Sequence, residues 1–398
     1  MLRLAVLALV SVPLVAQGHD HDDPHDHGHH PHHRDQHHGP HADAEAWTIA
    51  DVLQLERNRD LTATSRARPG SSGTGALRFE VHVRSDVLPK EVFGPNPYDR
   101  RKRPILECAH GGFAYDHRPG RGEVYWFLQG AGAMRIERDR SNVVLLETAD
   151  AMRALNMHNA TFFVLGRDPR IAWPANGGGK VLVTDLDAKI THTIGRPTAK
   201  QYDKGGYSPT DTAFLDGKLW VTDGYGSKYV MAYDLEKDAW TDTIFGGRAD
   251  KPQPGKFGTN HGITIHKGLL WVSGRYFARI HCYRPDTTFE NMFPLPEGSK
   301  PCDFEFFVQD GKLYGVAASL DAAKDSDADG AAIYVVDMET LKVVSTIKPK
   351  QELGLDRFVH LHNVFPVIDD GRVTLFCQAW NPGDFAVLRQ IKAADDDK

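Results

Sequence analysis

TDTAFLDGKLWVTDGYGSKYVMAYDLEKDAWTDTIFGG, residues 210–247, decides the fold. Four short runs rich in β-branched and aromatic residues are divided by turn signals at Asp216-Gly217, Gly224-Tyr225-Gly226 and Lys237-Asp238. Runs this short and apolar, bounded by turn signals, read as strands rather than helices. Asp-Gly between two such runs marks a hairpin, because both turn residues must take a positive φ. The stretch reads as a four-stranded antiparallel meander. NHGITIHKGLLWVSGRYFARIHCYRPDTTFENMFPL, residues 260–295, repeats the scheme.

Working outward, the same opening recurs at one phase along the chain: ECAHGGFAYD, LNMHNATFFV, SPTDTAFLDG, TNHGITIHKG, KPCDFEFFVQDG and HLHNVFPVIDDG. Aligning them puts His110, His158, Thr210, His261, Cys302 and His362 in one column, at spacings of 48, 52, 51, 41 and 60 residues. Six units of four-strand length cannot each bury two apolar faces alone, but stacked in a ring they can. The expected fold is all-β, a six-bladed β-propeller over residues 101–392. Within an N-terminal extension, 46–100, the alternating run Leu77–Val83 is a candidate strand to close the ring from outside.

The start of the chain has a different texture. Arg3 followed by the apolar run Leu4–Val15 reads as a secretory signal over 1–18, too short to span a bilayer. No later stretch is long and apolar enough to cross a membrane. The expected location is secreted or periplasmic. Residues 19–45 form a His-rich tract, with eleven histidines between 19 and 41 among Asp, Gly and Pro. Such a composition cannot build a core, and neutral imidazole is a ligand for divalent zinc, copper and nickel. The net charge of −6, with Lys and Arg spread along the chain, excludes a nucleic-acid surface. Four cysteines, Cys108, Cys282, Cys302 and Cys377, are too few for a disulfide scaffold and allow three pairings.

The first strand of each propeller blade lines the central channel, so the column residues should face one another. His158, His261 and His362 fall in alternate blades, about a third of a turn apart. Three imidazoles so placed can grip one ion and leave a position open, as catalytic metal sites do. His110 is an additional candidate ligand, and Cys302 reads as a buried thiol. Zinc is the first choice for imidazoles, with iron or copper as rivals.

The units look like NHL-type repeats, and their combination with these motifs resembles the peptidyl-α-hydroxyglycine α-amidating lyase family over roughly residues 150–390. That family draws one zinc histidine from each of three blades; NMHNATF, TNHGITI and LHNVFPV hold those places here and imply His158, His261 and His362. The family's tyrosine turn is matched by Val221-Thr222-Asp223-Gly224-Tyr225, and its arginine stretch by Ser273-Gly274-Arg275 through Ile280-His281-Cys282-Tyr283. The resemblance implies a carbon–nitrogen lyase with Tyr225 and Arg275 at the reaction centre. Arg103 is the candidate for the family's other catalytic arginine, with Arg118 and Arg121 as rivals. The pattern also departs from the family. Met157, Asn260 and Leu361 stand where proline precedes each histidine. Asn363 replaces a calcium-binding aspartate, Gly226 a cysteine and Trp271 that cysteine's partner. The alternatives are a non-catalytic propeller that binds protein or peptide, and a periplasmic metal-handling protein. Asp325-Ser326-Asp327-Ala328-Asp329-Gly330 matches the first half of a calcium loop but ends without the bidentate glutamate, since Val336 stands there.

Overall fold

The computed structural model describes residues 70–324, 326 and 330–392, all within the larger of the chain's two compact units, Glu45–Lys398. The leader, the His-rich tract and most of the Asp325–Gly330 stretch lie outside the described residues. Five four-stranded antiparallel meanders and one five-stranded sheet follow one another. They span 113–145, 161–194, 211–246, 260–294, 305–347 and 361–390, and the chain is a six-bladed β-propeller. No described helix is long and apolar enough to cross a membrane.

The blades stack because the middle strands are buried on both faces. In the strand Lys218–Thr222, Leu219 and Val221 pack against the second blade, while Trp220 between them packs against the fourth. The side-chain period of two turns one strand into half of two cores. The described core accordingly divides into six clusters, each formed by one blade face against the next. Trp126 against Phe385 joins the first blade to the sixth.

The hairpin signals have a common structural cause. Asp216 and Gly217 take φ of +50° and +74°, and Lys267-Gly268, Asp310-Gly311 and Asp370-Gly371 repeat the pair of positive angles. These turns match the right-handed twist of the flanking strands, and glycine at the second position avoids the penalty a Cβ incurs there.

The ring is closed by the first two and the last of the described strands. Strand β2 (Leu77–Arg84) pairs antiparallel with the last strand, Asp384–Gln390, and so becomes the fourth strand of the sixth blade. Strand β1 (Ser71–Thr74) adds a fifth. It also reaches the fifth blade, where the Ser345 hydroxyl accepts from the Thr74 amide at 2.9 Å. Among the described residues the sheets thus begin at Ser71, ahead of the 101–392 span read from the repeats.

Candidate metal centre

The column residues meet on the axis. The imidazole centroids of His158, His261 and His362 lie 4.5, 4.6 and 4.9 Å apart pairwise. His110 sits 4.5 Å from His158 and 4.4 Å from His362. Two overlapping groups, His110 with His158 and His362, and His261 with Cys302 and His362, each have their ligand atoms within 4.8 Å of one another. His158, His261, Cys302 and His362 are buried; His110 is partly exposed.

Local backbone irregularity aims these side chains. The ladder skips a residue between Asn260 and Gly262, and again between Leu361 and Asn363, leaving His261 and His362 as the bulged residues. A bulge re-aims a side chain that regular pleating would send into a blade face. His158 is set differently. It lies between an isolated bridge at Met157 and the start of the next ladder at Thr161.

The protonation pattern suits ligation. His158 Nδ1 is 2.7 Å from the Thr210 carbonyl and His261 Nδ1 is 2.7 Å from the Cys302 carbonyl. A carbonyl can only accept, so both Nδ1 atoms carry the proton and both Nε2 lone pairs point inward. Each orienting carbonyl belongs to the column residue of the next blade, so the ring's closure sets the tautomers. His362 offers Nε2 at 3.2 Å from His158 Nε2, while its Nδ1 has no hydrogen-bond partner. Ligands held about 2.0–2.1 Å from a tetrahedral ion are separated by roughly 3.3 Å, so this pair fits one ion. Burial holds the pKa of all three well below the ordinary imidazole value, and neighbouring histidines and Arg275 push the same way. Neutral lone pairs are what a metal requires. His110 is lowered to about 4, chiefly by burial and then by Arg275.

Tyr225 and Arg275 join the same centre. The Tyr225 hydroxyl is 3.1 Å from His158 Nε2 and 3.0 Å from His261 Nε2, and Arg275 Nη1 donates to it at 3.0 Å. Burial pushes the Tyr225 phenol up, and Arg275 pulls it the other way. Buried Asp223 organises this loop, accepting from the amides of Ser208 at 2.7 Å and Ser227 at 2.5 Å and from the Tyr202 hydroxyl at 2.9 Å. A Cβ on Gly226 would fall 2.1 Å from Asp223 Oδ1, which explains why no cysteine stands there. Asp223 carried a turn signal in the sequence but no sign of this role.

Arg103 bonds to none of these residues. Its guanidinium pairs with Asp99 at 3.1 and 3.2 Å, on the wall of a cavity of about 440 Å³ that also meets His110, Asn156, Cys108 and Trp380. Arg118 is held by Asp116 at 2.7 Å and Arg121 lies 3.6 Å from Glu123. The four cysteines are all free thiols.

No family model and no curated protein matches the chain. Among solved structures, it is similar to the β-propeller domain of Myceliophteria thermophila Cps50 (Swd1), at 11% identity and a TM-score of 0.44 over 71% of this chain and 82% of that one. It is also similar to BBS1N in its complex with ARL6DN, at 11% identity and a TM-score of 0.40 over 69% and 76% of the two chains. Likenesses this distant add nothing to the strand order, which defines the propeller by itself.

Proposed function

We propose that the axial cluster is a transition-metal centre and that the protein is an exported lyase resembling peptidyl-α-hydroxyglycine α-amidating lyase. The observation that carries this reading is the convergence of Tyr225 and Arg275 on His158 and His261, although the four residues come from three different blades. The fit to a metal rests on buried neutral imidazoles with their Nε2 atoms turned inward. His158, His261 and His362 would hold the ion, zinc first and iron or copper as rivals, with His110 at the open side. Bound there, the metal would supply Lewis-acid polarisation of a substrate hydroxyl and positive charge next to the tyrosine.

The chain's own residues supply the rest. The substrate class is a carbinolamide, R–CO–NH–CH(OH)–COO⁻. Tyr225, in its ionised form, takes the hydroxyl proton; the carbon–oxygen double bond forms as the carbon–nitrogen bond breaks. The electron pair leaves with nitrogen, which takes up one proton, so the products are R–CO–NH₂ and glyoxylate with no net gain or loss. Arg275 holds the Tyr225 oxygen, and the resemblance gives it the further role of anchoring the substrate carboxylate.

Incubating the full chain, loaded with zinc, with a peptide ending in α-hydroxyglycine tests this directly. Glyoxylate release by wild type, lost in His261→Ala together with one bound ion, is the expected result. Wild type that holds the ion but releases no glyoxylate from any such peptide overturns the lyase reading. The donor count favours a second reading in that event. His110, His158, His261, His362 and Cys302 suffice to saturate an ion, and the centre would then be a structural pin in a binding propeller.

A further inference from the structure

We propose that Cys302 is itself a ligand of the axial ion, through Sγ, making the centre a mixed imidazole–thiolate one. This rests on the metal centre proposed above and specifies its ligand set. Cys302 stands at the column position of the fifth blade, just before the strand Glu305–Gln309, where the histidines stand in the second, fourth and sixth. Its backbone is fixed relative to the ring, because its carbonyl receives the Nδ1 proton of His261 at 2.7 Å. Its Sγ and the ligand atoms of His261 and His362 all lie within 4.8 Å of one another.

Comparison with the other buried thiols separates a ligand from a packing residue. Cys282 lies in the apolar cluster between the fourth and fifth blades, and Cys377 in that between the fifth and sixth. Cys302 is as buried as they are, at 1% exposure, yet belongs to none of the apolar clusters. It faces the polar axis instead. Its Sγ donates to the Lys300 carbonyl at 3.6 Å, a weak hydrogen bond.

Arg275 supplies an independent argument. It is partly buried beside the centre, has no carboxylate partner among the described residues, donates to Tyr225, and has Cys302 among the groups close enough to act on its charge. Holding a guanidinium away from water is costly unless an anion accompanies it. A metal-bound thiolate is such an anion, present whether or not substrate is there. On binding, the Cys302 thiol proton passes to the buffer and the sulfur pair to the ion. A thiolate in the set shifts preference toward zinc, cobalt and copper(I) and away from manganese and magnesium.

Cobalt(II) added to the full metal-free chain is the test, because a thiolate–cobalt bond gives an intense near-ultraviolet charge-transfer band that imidazole does not. The His-rich tract contains no cysteine and cannot contribute to that band. Expected is a band that saturates with one cobalt, is absent in Cys302→Ala, and leaves in that variant the visible cobalt spectrum of a nitrogen site. That residual spectrum is identified by its loss in His261→Ala. A wild-type nitrogen-site spectrum without the charge-transfer band overturns the ligand assignment and leaves the histidine centre standing. A band that survives in Cys302→Ala assigns it to another thiol and overturns the proposal likewise. No spectral difference between wild type and His261→Ala removes the centre and this ligand with it.

Discussion

Nε2 of His158 stands 3.2 Å from Nε2 of His362, although 204 residues separate them in the chain. The Thr210 carbonyl already holds the Nδ1 proton of His158, so its Nε2 faces His362 with a lone pair. One ion shared between them uses both nitrogens. Replacing His362 with alanine should therefore cost the chain one ion in a chelator competition. It should also abolish stabilisation by metal. Zinc at a thousand times its Kd should add about 4 kcal/mol to wild type, and nothing comparable to the variant. Equal stoichiometry and equal thermal shifts in the two proteins would count against the centre.

Tyr225 touches two histidines but belongs to a different loop, so its removal separates chemistry from ligation. Tyr225→Phe should keep the ion and the fold while lowering glyoxylate release by about a hundredfold or more, the scale of a lost general base. Metal content and turnover measured on the same preparation check this. A variant as active as wild type would leave Tyr225 a packing residue.

The column of histidines was legible because inner strands recur at blade length, and so was the hairpin at Asp216-Gly217, because few residues tolerate its angles. The bulges that aim His261 and His362 were not legible. Bulges insert a residue without a composition signal. Cys302 is the buried thiol that its sequence reads as, but a single cysteine carries no sign of which side of its strand meets the axis. Nor did Arg103 reveal that it is neutralised by Asp99, four residues before it. Asp223 shows the same limit, since its partners Tyr202 and Ser208 are distant in sequence. Strand β1 was illegible for a further reason. Ser71–Thr74 has no apolar alternation, and its partners are fixed by the closed ring.

Ring closure by the N-terminal strand has a measurable consequence. Phe79 in β2 is fully buried, between the fifth and sixth blades. Phe79→Ala should destabilise the propeller by about 3–5 kcal/mol, the cost of an emptied aromatic site in a packed core. Chemical denaturation of the metal-free protein reads this directly. A change below about 1 kcal/mol would mean that β2 lies on a ring already closed without it.

Asp303 follows Cys302 and is buried beneath the histidines, its carboxylate oxygens accepting from the amides of Ala318 at 3.0 Å and Val364 at 2.7 Å. Burial pushes its carboxyl up to about 8, against those hydrogen bonds. The folded chain then keeps a proton that the unfolded chain gives up above about pH 4. Unfolding releases that proton throughout the interval, so the contribution is fully present in acid and is lost as pH rises toward 8. Asparagine does not titrate. The stability of wild type relative to Asp303→Asn should thus shrink by about 1.4 kcal/mol per pH unit between about pH 5 and about pH 7.5. Urea denaturation of both proteins, metal-free, across that range makes the comparison independent of the fixed cost of the substitution. A difference that stays constant with pH would mean that Asp303 is ionised in the folded chain across that range.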